Sequence, residues 1–127
     1  MSAASDLATY VAGLALAAGY QLKVNYLPDT PAFIIVFYDS GGEKTQKAMG
    51  GSSATRISRL QATIRHENAQ TASNTAEALH DALDGLTDET IGGTLYQLIE
   101  TLSRPFILDR DSKERTLFTF NMEVTRV

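Results

Sequence analysis

The sequence predicts an α+β fold, in which a mixed or antiparallel β-sheet is flanked by two α-helices. Apolar and polar residues alternate over residues 60–65, which is typical of a half-buried strand. Apolar residues then recur at helical spacing over residues 69–83, and alternation returns over residues 117–124. Because strands and helices occur in one compact order, these segments favour a single core shared by a sheet and its helices.

The first part of the chain predicts one helix followed by two strands. Leu7, Val11, Leu14 and Ala18 form one stripe at helical spacing, and Gly19 is expected to end that helix. We expect a short strand over residues 21–27. Residues 32–38 are continuously apolar and rich in β-branched and aromatic side chains, which predicts a strand covered on both faces.

Residues 40–55 differ in composition from their surroundings, since they contain four glycines and many small polar residues. Such a segment cannot build a core, and long loops of this kind are usually functional or disordered. We therefore predict a flexible loop over residues 40–55 and the start of the next strand at Arg56.

The second helix is expected to begin near Asn68 or Thr71 and to end at Gly85. Its buried stripe comprises four residues: Ala72, Ala76, Leu79 and Leu83. Four polar residues lie off that stripe: Glu77, His80, Asp81 and Asp84. Residues 87–93 are polar and end in a glycine pair, which favours a connection with a tight turn.

The remaining segments, residues 94–102, 104–111 and 117–124, predict two or three strands. Alternation in the last of them places Phe120 on the core face and Thr119 on the solvent face. Charges of both signs between residues 109 and 115 favour a hairpin turn there.

Composition excludes several classes of protein. The chain has 127 residues, of which 43% are hydrophobic and 20% charged, as in one globular domain covering residues 1–127. Its net charge of −4 argues against a surface that grips nucleic acid through phosphates. The absence of cysteine excludes disulfides and thiolate chemistry. The N-terminus lacks the basic start of a signal peptide, so synthesis in the cytoplasm, without membrane insertion, is expected.

Catalytic and ligand-binding motifs are missing from the sequence. The glycines fit neither G-x-x-x-x-G-K-[ST] nor G-x-G-x-x-G, and no G-x-S-x-G elbow occurs. His66 and His80 have no second ligand at metal spacing, and we interpret them as surface or interface histidines. We therefore predict no catalytic residue, no cofactor, no metal and no enzyme activity.

The segment from Arg56 to Val127 resembles the tail terminator, or tail-completion, proteins of long-tailed bacteriophages, often described as minor capsid or head–tail joining proteins. The resemblance is carried by Leu60-Gln-Ala-Thr-Ile-Arg, by the helix Thr75-Ala-Glu-Ala-Leu-His-Asp-Ala-Leu-Asp-Gly-Leu and by Tyr96-Gln-Leu-Ile-Glu. It continues in Arg104-Pro-Phe-Ile-Leu-Asp-Arg-Asp and in Phe118-Thr-Phe-Asn-Met-Glu-Val. An N-terminal helix before the strands is also similar.

The resemblance implies a structural virion protein at the tail–head junction. Its subunits would form a ring, typically a hexamer, that caps the tail tube and docks it to the head. Partners would be the tail tube protein and a head completion or connector protein, and DNA would pass through the lumen without sequence-specific binding. The loop at 40–55 would then be a docking loop, with six candidate residues: Gly41, Gly42, Lys44, Lys47, Gly50 and Gly51.

Ring contacts would have to use surface that the core leaves free. Basic residues on the polar-alternating strand and acidic residues on the second helix could pair between neighbouring subunits. The candidates are Arg59, Gln61, Arg65, Glu77 and Asp81. The alternative hypothesis is a small α+β enzyme or ligand-binding domain that uses the 40–55 loop as a lid.

Overall fold

The computed structural model describes residues 3–29, 32–39, 44–47, 54–110 and 115–126, without the side chains of residues 44–47, 54, 55 and 109. Two α-helices and a short 3₁₀ helix lie within these ranges: α1 (Ala3–Ala12), the 3₁₀ helix (Ala15–Ala17) and α2 (Ala69–Leu83). The strands are β1 (Gln21–Val24), β2 (Ile34–Asp39), β3 (Lys44–Lys47), β4 (Ala54–His66), β5 (Leu86–Ile91), β6 (Thr94–Thr101), β7 (Phe106–Arg110) and β8 (Thr116–Arg126).

The strands form one mixed sheet, in the order β1-β2-β4-β8-β6-β5. β3 pairs with β4, and β7 pairs with β8. The β1–β2 pair is parallel, whereas the other pairs in the described part are antiparallel. The predicted α+β class, with a sheet and two helices, is therefore confirmed.

The core lies between the two helices and one face of the sheet, which we call the helix face. In the β4–β8 ladder, Ala62 lies opposite Phe120 and Leu60 opposite Met122, and all four are fully buried. Directly opposite residues share a face. The alternation predicted for β4 therefore places its apolar side chains against the helices. β2 is buried on both faces from Ile34 to Phe37, as its continuous apolar run predicted.

The start of α2 follows from a side-chain hydrogen bond, and its end is followed by a glycine in a left-handed conformation. Both features lie at residues that the sequence analysis named. The Asn68 side chain accepts a hydrogen bond from the Thr71 backbone N–H at 3.0 Å, which satisfies one free donor of the first turn. After Leu83 the chain leaves the helix, and Gly85 takes a left-handed conformation with φ of +80°. The helix thereby ends where β5 begins.

Two boundaries differ from the predictions. α1 ends at Ala12 rather than Gly19, and the 3₁₀ helix replaces its last turns. Residues 86–91 form β5, not a polar connection, and pair with β6 across the turn at Gly92 and Gly93. β5 is the terminal strand of the sheet and is mostly exposed, so it carries no apolar alternation that would have revealed it.

Part of the segment predicted as a flexible loop, residues 40–55, is a strand, because β3 lies within it. Lys44 pairs with Ile57 and Lys47 with Ala54, so β3 and the start of β4 form an antiparallel ladder. β4 accordingly begins at Ala54 rather than Arg56. Lys-Thr-Gln-Lys has no apolar residue, and its pairing comes from the backbone, which leaves no trace in a hydrophobic pattern.

Thr119 is not on a solvent face, as the alternation of β8 had suggested. It is fully buried on the sheet face opposite the helices, where its hydroxyl donates to the Ala62 carbonyl at 2.9 Å. The Thr63 hydroxyl, its cross-strand partner, lies 3.3 Å away and is also buried. Period-two alternation separates two faces of a strand, but it does not say whether the second face is covered.

We therefore expect Thr119→Ala to lower the free energy of unfolding by about 1–3 kcal/mol, since it removes a buried hydrogen bond and leaves the Thr63 hydroxyl short of a partner. Thr125→Ala on the same strand, where the side chain is only half-buried, should change it by less than about 0.5 kcal/mol. Urea unfolding of both variants measures the difference. Equal midpoints would contradict a structural role for the Thr119 hydroxyl.

Candidate assembly surface

The sheet face opposite the helices, here called the helix-free face, brings together polar residues of β4 and β8. Arg59 lies directly opposite Glu123, and its Nε is 3.4 Å from the Glu123 carboxylate. Gln61 lies opposite Asn121 in the next step of the same ladder. The Arg59 side chain is 67% exposed, so this surface pair contributes little to stability and its charge remains accessible.

A shallow cavity of about 340 Å³ opens on the helix-free face between β4, β8 and the end of β6. It is lined by Arg59, Leu102, Ser103 and Asn121. The backbone fixes its rim, because the Leu102 N–H donates to the Asn121 carbonyl at 2.8 Å. An apolar side chain beside a cation in an open depression suits a protruding side chain of another protein.

Two carboxylates meet beside this cavity. Glu100 on β6 lies directly opposite Glu123 on β8, and like charges in that position destabilise a ladder. The positive charge of Arg59 offsets the negative charge of Glu123, with which it forms an ion pair. Within the part of the chain that the structure describes, Glu100 makes no ion pair, and its side chain is exposed. The β6 side of the helix-free face is therefore negative.

A β-bulge directs leucines of β6 toward the same face. The register of β6 on β8 shifts between Tyr96 and Leu98, so Tyr96 and Ile99 both point to the core. Leu95 and Leu98 then point outward and are 38% and 37% exposed. With Leu102, 46% exposed, they form an apolar row along β6 that we call the β6 row.

β7 carries a second exposed apolar cluster, the β7 edge, which comprises Phe106, Ile107 and Leu108. These side chains are 45%, 56% and 51% exposed. β7 pairs with β8 on one side, and no other described strand pairs with its outer side. The register shifts between Ile107 and Asp109, which places Leu108 in a bulge. Exposed apolar side chains on an open strand edge are typical of a surface that associates with another chain.

Arg65 does not belong to the accessible surface, contrary to the prediction. It is 3% exposed, and its guanidinium donates to the backbone carbonyls of Ala32 and Asp29, both at 3.3 Å. Arg115 is held by Asp29 in the same region. The apolar–polar alternation of β4 predicted that Arg65 lies on the helix-free face and is accessible. The segment before β2, however, covers that end of the sheet.

Glu77 and Asp81 lie on the outer side of α2, away from Arg59. Glu77 accepts a hydrogen bond from Arg104, and Asp81 lies 3.9 Å from the same guanidinium. Arg104 lies two residues before Phe106, so the acidic side of α2 is close to the start of the β7 edge. The structure does not bring the predicted basic and acidic residues together within one subunit, but it places them on two separate surfaces.

His80 is buried at 4% exposure, which corrects its placement off the helical stripe and on the surface. Its Nε2 lies 2.9 Å from the Thr101 hydroxyl, its Nδ1 lies 3.0 Å from Asp81, and its ring meets the Phe120 ring edge-on. The Thr101 backbone N–H also donates to Asp84, and this bond lowers the pKa of that carboxyl. These contacts tie the end of α2 to β6.

The candidate docking loop lies mostly outside the described residues. Gly41, Gly42, Gly50 and Gly51 belong to that undescribed part, and the docking role predicted for them stays a prediction. Lys44 and Lys47 are the end residues of β3, and their backbone is paired with β4. Their place in a ladder differs from the loop position expected of them.

A buried polar cluster joins α1 to the C-terminal strands, and the sequence analysis missed it. The Tyr96 hydroxyl donates to Asp6 Oδ2 at 2.6 Å, and Arg126 Nη1 lies 4.0 Å from the same oxygen. Asp6 is 1% and Arg126 3% exposed. Burial, followed by the Asp6 carboxylate, raises the pKa of Tyr96, so the phenol keeps its proton. No short motif links residues that are so far apart in the chain.

Gly92 completes this cluster at the β5–β6 turn. Its φ is +58°, and a Cβ there would lie 2.4 Å from Asp6 Oδ1. Gly93 has a similar φ of +79° but nothing within 4 Å of a Cβ. The glycine pair had predicted a tight turn, whereas the close approach of a buried carboxylate is a tertiary feature.

Among the described residues, no group of three or more His, Asp or Glu side chains is arranged to hold a metal ion. His66 stacks on Phe33 at 4.3 Å between ring centroids, and its Nδ1 accepts from the Asn68 N–H. None of the described helices has both the length and the apolar character needed to span a membrane.

The described residues define an α+β domain with an exposed helix-free face of mixed apolar and charged character and an exposed apolar β7 edge. The family described as bacteriophage tail terminator protein matches residues 7–127. A chain of a solved structure titled "Virion of native gene transfer agent (GTA) particle" has the same fold, with a TM-score of 0.69 and 17% identity over 98% of this chain and 94% of that one. No curated protein matches significantly.

The chain belongs to the bacteriophage tail terminator protein family, since the match covers nearly all of it. The resemblance seen in the sequence is thereby confirmed. The protein is a structural protein of the virion tail. The family is not a class of enzymes, so its members do not support the alternative of a catalytic domain with a lid.

Proposed function

We propose that this protein forms a ring, most simply a hexamer, that caps the phage tail tube and joins the tail to the head. Membership of the tail terminator family over residues 7–127 carries the proposal. The proposed site of action is the tail–head junction of the virion, after synthesis in the host cytoplasm. The partners are the tail tube protein and a head completion or connector protein.

DNA passes through the lumen of the proposed ring without sequence-specific contacts. The net charge of −4 supports this part of the proposal, because an acidic subunit does not hold phosphates and lets a duplex slide. The entire chain, residues 1–127, acts as one domain in this ring.

Contacts between neighbouring subunits are proposed to pair the helix-free face of one copy with the outer side of α2 of the next. Arg59 and Gln61 supply the first surface, and Glu77 and Asp81 the second. The opposite signs and the separate locations of these groups support a head-to-tail arrangement, which forms a ring when the rotation between neighbouring copies closes. Arg65 is excluded from this contact because it is buried.

We expect purified protein, mixed with tail tubes assembled without it, to stop tube growth and to form a ring at one tube end. Electron microscopy and the distribution of tube lengths measure both effects. Arg59→Glu should weaken capping, whereas Lys23→Glu, a change of the same charge on the distant strand β1, should not. Tubes that grow to the same lengths with and without the wild-type protein would refute the proposed function.

A further inference from the structure

We propose that the β7 edge of one subunit packs on the β6 row of the next copy, and that this apolar contact closes the subunit interface. The inference rests on the proposed function, because it needs a second copy of this chain as the occupant. The inference adds to the proposed function by naming the apolar residues at the contact between neighbouring subunits. It starts from two clusters of exposed apolar residues.

The distribution of exposed apolar residues is uneven. Eight large hydrophobic side chains are exposed in the described part of the chain, and six of them lie between residues 95 and 108. They fall into the β6 row, on the helix-free face, and the β7 edge, at an open strand edge. Patches of this kind are costly to leave in water and mark sites of protein association.

The open edges at β5 and β1 are protected, which distinguishes β7 from these two strands. β5 carries Asp88, whose φ of +53° interrupts the regular pairing geometry, and Glu89 beside it. β1 is followed by Asn25, with φ of +62°, whose side chain exchanges hydrogen bonds with Asp39. Charges and irregular backbone are the usual means of preventing edge-to-edge association. β7 instead presents three consecutive apolar side chains.

Charge complementarity selects a second copy as the occupant. Glu100 lies on the same face as the β6 row, with Glu123 as its cross-strand neighbour and no ion pair of its own in the described residues. β7 ends in the exposed Arg110, two positions after Leu108, and Asp109 and Asp111 flank it in the sequence. One surface is therefore apolar with a carboxylate, and the other is apolar with charges of both signs that include the Arg110 guanidinium. Two different complementary patches on one chain are what a head-to-tail ring requires.

The two surfaces also lie where the proposed charged contacts need them. The β7 edge follows Arg104, which contacts Glu77 and Asp81 of α2, so both belong to one side of the subunit. The β6 row and Arg59 border the same cavity through Leu102. When Ile107 and Leu108 of one copy pack against this cavity of the next copy, α2 of the first copy comes close to Arg59 of the second.

Charge exchange tests the contact directly. We expect Glu100→Arg and Arg110→Glu each to reduce assembly at least tenfold, as measured by sedimentation velocity of the full-length protein alone and with tail tubes. The double variant Glu100→Arg/Arg110→Glu should recover most of the wild-type assembly, because the pair is restored with its signs exchanged. Circular dichroism checks that every variant is folded.

An apolar pair of variants tests the same contact without charge exchange. Ile107→Ser should weaken assembly, whereas Tyr26→Ser, which truncates an equally exposed side chain elsewhere, should not. Folded Glu100, Arg110 and Ile107 variants that assemble like the wild type would overturn this inference and leave the ring itself intact. A wild-type protein that forms no oligomer, alone or on tail tubes, would overturn both proposals. Single reversals that weaken assembly without recovery in the double variant would also overturn the Glu100–Arg110 pairing.

Discussion

Phe120→Ala should lower the free energy of unfolding by about 3–5 kcal/mol, because it empties a fully buried site at the centre of the sheet. Phe120 lies opposite Ala62 on β4 and meets the ring of His80 edge-on. Its loss therefore loosens both the β4–β8 ladder and the contact of α2 with the sheet. Thermal and urea unfolding of the purified variant measure the change.

Phe106→Ala is the matched control, since it makes the same truncation at a side chain that is 45% exposed. We expect it to change the free energy of unfolding by less than about 1 kcal/mol. In the proposed ring, however, Phe106→Ala should weaken assembly. Similar losses of stability in the two variants would mean that the β7 edge is part of the core and not an assembly surface.

Arg126→Met should have a comparable effect on stability, by about 3–5 kcal/mol, because it leaves the Asp6 carboxylate buried without its cation. The Tyr96 hydroxyl then still donates to Asp6, and Gly92 leaves room for this carboxylate because it has no Cβ. The expected defect is in folding of the subunit, so it should be seen in chemical unfolding before any assembly assay.

Arg59→Met provides the control for that experiment, because Arg59 is 67% exposed and its pair with Glu123 lies at the surface. Its effect on stability should stay below about 1 kcal/mol. The double variant Asp6→Asn/Arg126→Met should be more stable than Arg126→Met alone, since it removes the buried charge together with its partner. A double variant that is less stable than either single one would contradict this account of the cluster.

Local patterns explain why most elements could be predicted. Alternation defined β4 and β8, and the Asn68 cap with Gly85 defined the ends of α2. These signals act within a few residues, and the core face of each element follows from them. β3 and β5 escaped prediction because they are polar edge or hairpin strands, whose stability comes from backbone pairing that leaves no hydrophobic period.

The candidate surface could be predicted only in part. Arg59 and Gln61 lie on the helix-free face, as alternation on β4 indicated, whereas Arg65 is covered by the segment that contains Asp29 and Ala32. Three consecutive apolar residues at 106–108 were a usable signal, because a strand cannot turn all of them inward. The bulge that points Leu95 and Leu98 outward had no local signature.

The sequence by itself determined the fold class, the core faces of the long elements and the resemblance to tail terminators, because each depends on residue patterns that are local in the chain. Only the tertiary structure decided which polar residues are buried and which apolar residues are exposed. Asp6, Thr119 and His80 are covered, while Ile107 and Leu108 are not. The physical reason is that burial depends on what packs above a side chain, and those neighbours come from segments far away in sequence.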